Sequence, residues 1–171
     1  PERFATVADM IDKQGLARVS RTEERRCDAD TRVFLGDTMG EVPLFYAACD
    51  IAFVGGSLVP IGGHNLLEPA ALGLPLVSGP HVYNAQEISD LFIGLGACHI
   101  VDNAEQLAAA VTELLDDPAG LTHLRVRALM LLDHVHAFHE HPPVRKYLED
   151  SASLAPGLAG LHNDLIAFSD L

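Results

Sequence analysis

The sequence predicts an α/β domain built on a doubly wound, Rossmann-like parallel sheet, and three observations predict it. Short apolar runs at 16–19, 31–35, 50–54, 75–78 and 97–101 alternate with stretches whose apolar residues recur at helical spacing. Two of those runs end in glycine-bearing corners that lead straight into helix signals. The composition, 49% hydrophobic and 20% charged over 171 residues, is that of a chain able to bury one substantial core.

In order, residues 1–15 read as a helix, with Phe4, Val7, Ala8 and Ile11 on one face and Gly15 as the stop. A strand at 16–19 follows, then a polar loop at 20–30 in which Arg21, Arg25 and Arg26 read as a solvated charge cluster with a phosphate contact as the alternative. The strand at 31–35 runs into Gly36-Asp37-Thr38-Met39-Gly40-Glu41 and a helix through Leu44, Tyr46 and Ala47, with Asp37 or Thr38 as the expected cap. The strand at 50–54 ends in the longest glycine-rich segment, which carries Gly55, Gly56, Gly62 and Gly63 and enters a helix at 65–72. Beyond it come a strand at 75–78, a loop with His81 and Asn84, and a helix at 85–95. The strand at 97–101 leads to a helix capped by Asp102 or Asn103, and Asp117-Pro118 opens a last helix to about 132.

A strand, a glycine-rich turn and a helix start suit an anion, because backbone N–H groups approach closely and the helix end is positive. Gly62, Gly63 and the amides near His64 and Asn65 are the expected phosphate contacts. Ser57, beside Gly56, has a hydroxyl that can donate, and Glu68 can accept two hydroxyls of a ribose. The alternatives are a capping role for Asn65, a helix-dipole role for Glu68, and loop ordering for His64, His81 and Asn84. The net charge of −13 excludes a nucleic-acid surface, yet leaves room for one nucleotide held by uncharged main-chain donors. Cys27, Cys49 and Cys98 have no metal spacing and read as reduced thiols. No apolar run is long enough to cross a bilayer. His136, His139 and Glu140, within a four-histidine stretch, read as an unligated surface cluster, with a metal site as the alternative, and 161–168 as one more helix.

The block GGSLVPIGGHNLLEPAALGLPLVSGPHVYNAQEI, preceded by Leu35-Gly-Asp-Thr-Met-Gly-Glu-Val42, resembles the 3-deoxy-D-manno-octulosonic acid (Kdo) transferases of lipopolysaccharide synthesis. The resemblance covers roughly 1–133 and rests on two blocks matching in order. It implies the C-terminal, donor-binding half of a GT-B glycosyltransferase, whose first strand this chain lacks. The division expected is a nucleotide-sugar-binding domain at 1–133 and a tail of partly helical character at 134–171.

The resemblance further implies CMP-Kdo as donor and a lipid A precursor as acceptor, at the cytoplasmic side of the inner membrane, with no cofactor and no metal. The general base is implied to lie in an N-terminal domain outside this chain, so no catalytic residue is assigned here. Thr38, Met39, Gly40 and Glu41 are implied as a second group of donor contacts, facing the glycine-rich corner across one crevice. Two other readings stay open: a UDP-sugar transferase or sugar-nucleotide 2-epimerase on the same scaffold, and a binding fragment without catalysis.

Overall fold

The computed structural model describes residues 2–134, and the chain divides into two compact units, Pro1–Phe45 and Tyr46–Leu171. The histidine cluster and the helix expected at 161–168 lie outside the described residues.

The first unit opens with helix α1 (Phe4–Lys13), whose Phe4, Val7, Ala8 and Ile11 share the half-buried face that their spacing predicts. Strands β1 (Arg18–Ser20) and β2 (Val33–Leu35) pair in parallel, Val19 opposite Phe34, and Val19 is fully buried. The connection between them contains a 3-10 turn at Arg21–Glu23 where the sequence predicts only loop. A local capping box sets it, with Glu23 Oε1 accepting from Ser20 N at 3.2 Å, and Asp37 braces it from further along the chain: its carboxylate accepts from the Thr22 N–H at 3.0 Å and from the Thr22 hydroxyl.

Helix α2 (Val42–Ala47) therefore starts later than expected, and neither Asp37 nor Thr38 is its cap. The Glu41 carbonyl instead accepts the first helical bond, from Phe45 N at 3.2 Å. Pro43 falls in the first turn, where its missing donor leaves nothing unpaired.

The second unit is a parallel sheet in the order β3 (Ala52–Val54), β4 (Leu76–Ser78), β5 (Cys98–Ile100). Ala52 pairs with Leu76 and Leu76 with Cys98. Side chains alternate across a strand, and the two faces bury different sets. Val54 and Leu76 pack on one face with Leu66, Ala70 and Phe92, from α3 (Leu67–Ala71) and α4 (Gln86–Gly94) and their approaches. Val77 packs on the other with Leu114 of α5 (Ala104–Asp116) and Leu124 of α6 (Pro118–His134). Helix α6 also reaches the first face through Ala128. This is the sheet covered on both sides that the strand–helix alternation predicts.

Two helix starts follow their local chemistry. The Asn103 carboxamide accepts from Gln106 N at 2.8 Å, so Asn103 and not Asp102 caps α5. Asp117 does the same for α6, accepting from Ala119 N at 3.1 Å ahead of Pro118 in the first turn.

Candidate functional site

In the second unit, β3 delivers the chain into the glycine-rich segment at 55–66. That segment contains no Asp, Glu, Lys or Arg, so its polarity comes from main chain and hydroxyls. It folds back on itself through Gly63 N donating to Gly56 O at 2.9 Å. Gly62 and Gly63 are buried with φ of 100° and 67°, a region that costs an L side chain roughly 1–2 kcal/mol. Space forbids a side chain there as well: a Cβ on Gly63 would stand 2.9 Å from His81 O, and one on Gly62 would overlap the Asn84 carboxamide.

Ser57 is the anchor of this loop. Its hydroxyl is fully buried, donates to Val54 O at 2.6 Å and accepts from Gly79 N at 2.8 Å. Its carbonyl accepts from His81 N at 3.0 Å. The proton that the sequence reading offers to an anion is thus spent on the end of β3, and the side chain ties that end to the segment after β4.

A 3-10 turn at Tyr83–Ala85 clasps the far side of the loop. Tyr83 Oη donates to Pro60 O at 2.6 Å, and Asn84 Nδ2 donates to Ile61 O at 3.1 Å and Gly63 O at 3.2 Å. Of the two roles open to Asn84, loop ordering is the one its bonds display. Tyr83 carries no local signal in the sequence. Its partner lies 23 residues away, and only the fold joins them.

The helix after the loop is shorter than expected, five residues from Leu67 to Ala71. Asn65 Oδ1 accepts from Leu67 N at 3.0 Å, so its carboxamide braces the turn into α3. A helix this short sums few peptide dipoles, and the donors of the loop itself matter more than the helix end. Among the described residues, the N–H groups of Gly62, His64 and Asn65 donate to no acceptor. His64 and Asn65 are exposed, and Glu68 in the first turn of α3 is half-buried. The charge of Glu68 reaches Tyr46, whose phenol is raised above its ordinary value, first by burial and then by that carboxylate.

The corner of the first unit is built on charge. Glu41 accepts from the Thr38 hydroxyl and from Arg21 Nη2 at 3.0 Å, and these bonds hold its carboxyl below the ordinary range, Thr38 contributing most. Arg21 is therefore engaged within the corner, and Arg25 bonds Glu23 at 2.6 Å and Arg18 O at 2.8 Å. Gly40 takes a φ of 79°, and Met39 beside it is 70% exposed.

A separate cleft of about 280 Å³ lies between β5, α5 and α6, lined by His99, Glu113, Asp117, His123 and Arg127 among others. It contains none of the residues assigned above. Among the described residues no cluster of His, Cys, Asp and Glu is arranged to hold a metal ion, and no helix is long and apolar enough to cross a membrane.

Parallel strands whose carboxyl ends carry glycine-rich corners place this unit with nucleotide-binding α/β folds. Residues 12–142 match the family of glycosyl transferases group 1, and the chain belongs to that family. Within it, the chain is similar to the 3-deoxy-D-manno-octulosonic acid transferase of Haemophilus influenzae, 43% identical over 117 residues, which are 68% of this chain and 27% of that one. The transferase of the same name from Bordetella pertussis is 38% identical over 120 residues, 70% of this chain and 28% of that one.

Among solved structures, the C-terminal CMP-Kdo binding domain of WaaA from Acinetobacter baumannii superposes with a TM-score of 0.76 at 38% identity, over 78% of this chain and 70% of that one. The resemblance carried by the two sequence blocks is borne out by these matches. The chain spans little more than a quarter of the length of the two transferases.

Proposed function

We propose that this chain is the donor-binding part of a Kdo transferase. In the full-length protein it holds CMP-Kdo while Kdo passes to a hydroxyl of a lipid A precursor, at the cytoplasmic face of the inner membrane. Residues 1–133 serve as the nucleotide-sugar-binding portion, and the acceptor site and general base belong to sequence outside it.

The observation that carries the reading is the set of uncommitted N–H groups at Gly62, His64 and Asn65, on a rigid and uncharged loop. The donor's phosphate brings its own negative charge, and more gathers on it as the glycosidic bond breaks. Fixed donors already aimed at that position stabilise the departing CMP without reorganising. Glu68, half-buried one turn further on, accepts the ribose hydroxyls. Ser57 and Asn65 brace the loop in this scheme, and their side chains do not bind the donor.

Calorimetry on the full-length protein tests the reading. CMP binds, UMP and UDP compete poorly, and Glu68→Gln weakens CMP. Tighter binding of UDP than of CMP would assign the scaffold to UDP-sugar chemistry instead, and unchanged affinity in Glu68→Gln would remove Glu68 from the site.

A further inference from the structure

Four successive carbonyls of the loop, from Pro60 to Gly63, are bonded from one side. Tyr83 and Asn84 supply donors to four in succession: Tyr83 Oη to Pro60 O, Asn84 Nδ2 to Ile61 O and Gly63 O, and Asn84 N to Gly62 O at 3.1 Å. Both side-chain partners of Asn84 are carbonyl oxygens, so its NH2 group must face them.

A trans peptide points its C=O and its N–H in opposite directions. Drawing the Ile61 carbonyl toward Asn84 therefore turns the Gly62 N–H away from it, and drawing the Gly63 carbonyl does the same to the His64 N–H. These are two of the N–H groups that meet no acceptor among the described residues, whereas Gly63 N between them is spent on Gly56 O. One carboxamide thus sets the tilt of two peptide planes.

We infer that Asn84 is a positioning residue for phosphate recognition: its carboxamide aims the Gly62 and His64 N–H groups without touching the ligand. The inference rests on the reading above, that the CMP phosphate sits at those groups. Its consequence is selective. Removing the carboxamide frees the two planes to rotate, which weakens a ligand that uses them and spares one that does not. Cytidine, which shares the base and ribose of CMP and lacks the phosphate, is the second kind.

The test is calorimetric titration of the full-length protein with CMP and with cytidine, for the unmodified chain, Asn84→Ala and Asn84→Asp. Asn84→Ala is expected to lower CMP affinity about tenfold, the scale of a lost pair of neutral hydrogen bonds, and to change cytidine affinity less than about twofold. Asn84→Asp keeps the shape, loses both donors and sets a carboxylate against two carbonyls, so its CMP affinity falls at least as far.

Equal losses for CMP and cytidine would overturn the inference, because general loosening of the loop does that. No loss for either would overturn it too. Should Asn84→Ala fail to fold, Asn84→Asp decides on the same terms: a fall in the CMP-to-cytidine affinity ratio supports the aiming role, and an unchanged ratio refutes it. An unmodified protein that binds CMP no better than cytidine would sink the phosphate reading first, and this inference with it.

Discussion

Replacing Ser57 with alanine separates a brace from a ligand contact. The hydroxyl is fully buried and joins two main-chain groups, taking the Gly79 N–H and giving its proton to Val54 O. Alanine leaves both without that partner at a fully buried position. An unpaired buried polar group costs about 1–3 kcal/mol, so the pair predicts a loss of roughly 2–6 kcal/mol. Because Ser57 O still accepts from His81 N and holds the loop to the segment after β4, part of that loss is recoverable by relaxation, which favours the lower end of the range.

The assay is urea unfolding of the full-length protein, followed by a signal from the domain that carries this chain, with CMP titrated in parallel. The expected result is a clear drop in the unfolding midpoint, with CMP affinity reduced only as far as the loop loosens. A stability change below about 0.5 kcal/mol, within the range of an ordinary surface substitution, would refute the bracing argument. Full stability combined with lost CMP binding would return the hydroxyl to the ligand.

Two further outcomes are expected. The Glu41 carboxyl lies below its ordinary 4.5 through Thr38 and Arg21, so its contribution to stability is complete above that value and fades as pH falls through its lower folded value. The gap in urea midpoint between the unmodified protein and Glu41→Gln should therefore narrow as pH falls below the ordinary 4.5, and a gap independent of pH would contradict the assignment. Burial pushes the Cys98 thiol up to about 12 and raises Cys49 more modestly, while Cys27 is exposed. Iodoacetamide followed by peptide mapping should label Cys27 first, Cys49 more slowly and Cys98 only after unfolding; labelling of Cys98 in the native protein would contradict its burial.

How much of this was legible in the sequence depends on the range of each interaction. Asp117 ahead of Pro118 caps α6 within a few residues of chain, so the sequence suffices to read it. Asn103 and Asp102 offered the same chemistry one residue apart, and only backbone geometry chose between them. The glycine-rich corner was legible because Gly62 and Gly63 announce a backbone that no other residue adopts at low cost.

What escaped was long-range. Asp37 looked like a local cap and instead bonds Thr22, fifteen residues back, bracing the turn at Arg21–Glu23 and leaving the start of α2 without its side chain. Ser57 looked available beside its glycine and is consumed by Gly79, twenty-two residues on. The clasp of Tyr83 on Pro60 has no periodicity or spacing to betray it. Side chains that serve the loop from another segment become visible only when the sheet brings the ends of β3 and β4 side by side.

The central claim is that main-chain N–H groups, and not a charged side chain, hold the nucleotide's phosphate. Amide resonances of the full-length, isotope-labelled protein test it most directly, with CMP and cytidine added in turn. The account predicts that the Gly62, His64 and Asn65 amides shift with CMP and stay nearly still with cytidine, as new hydrogen bonds to phosphate require. CMP binding that leaves those three resonances where they were would contradict it.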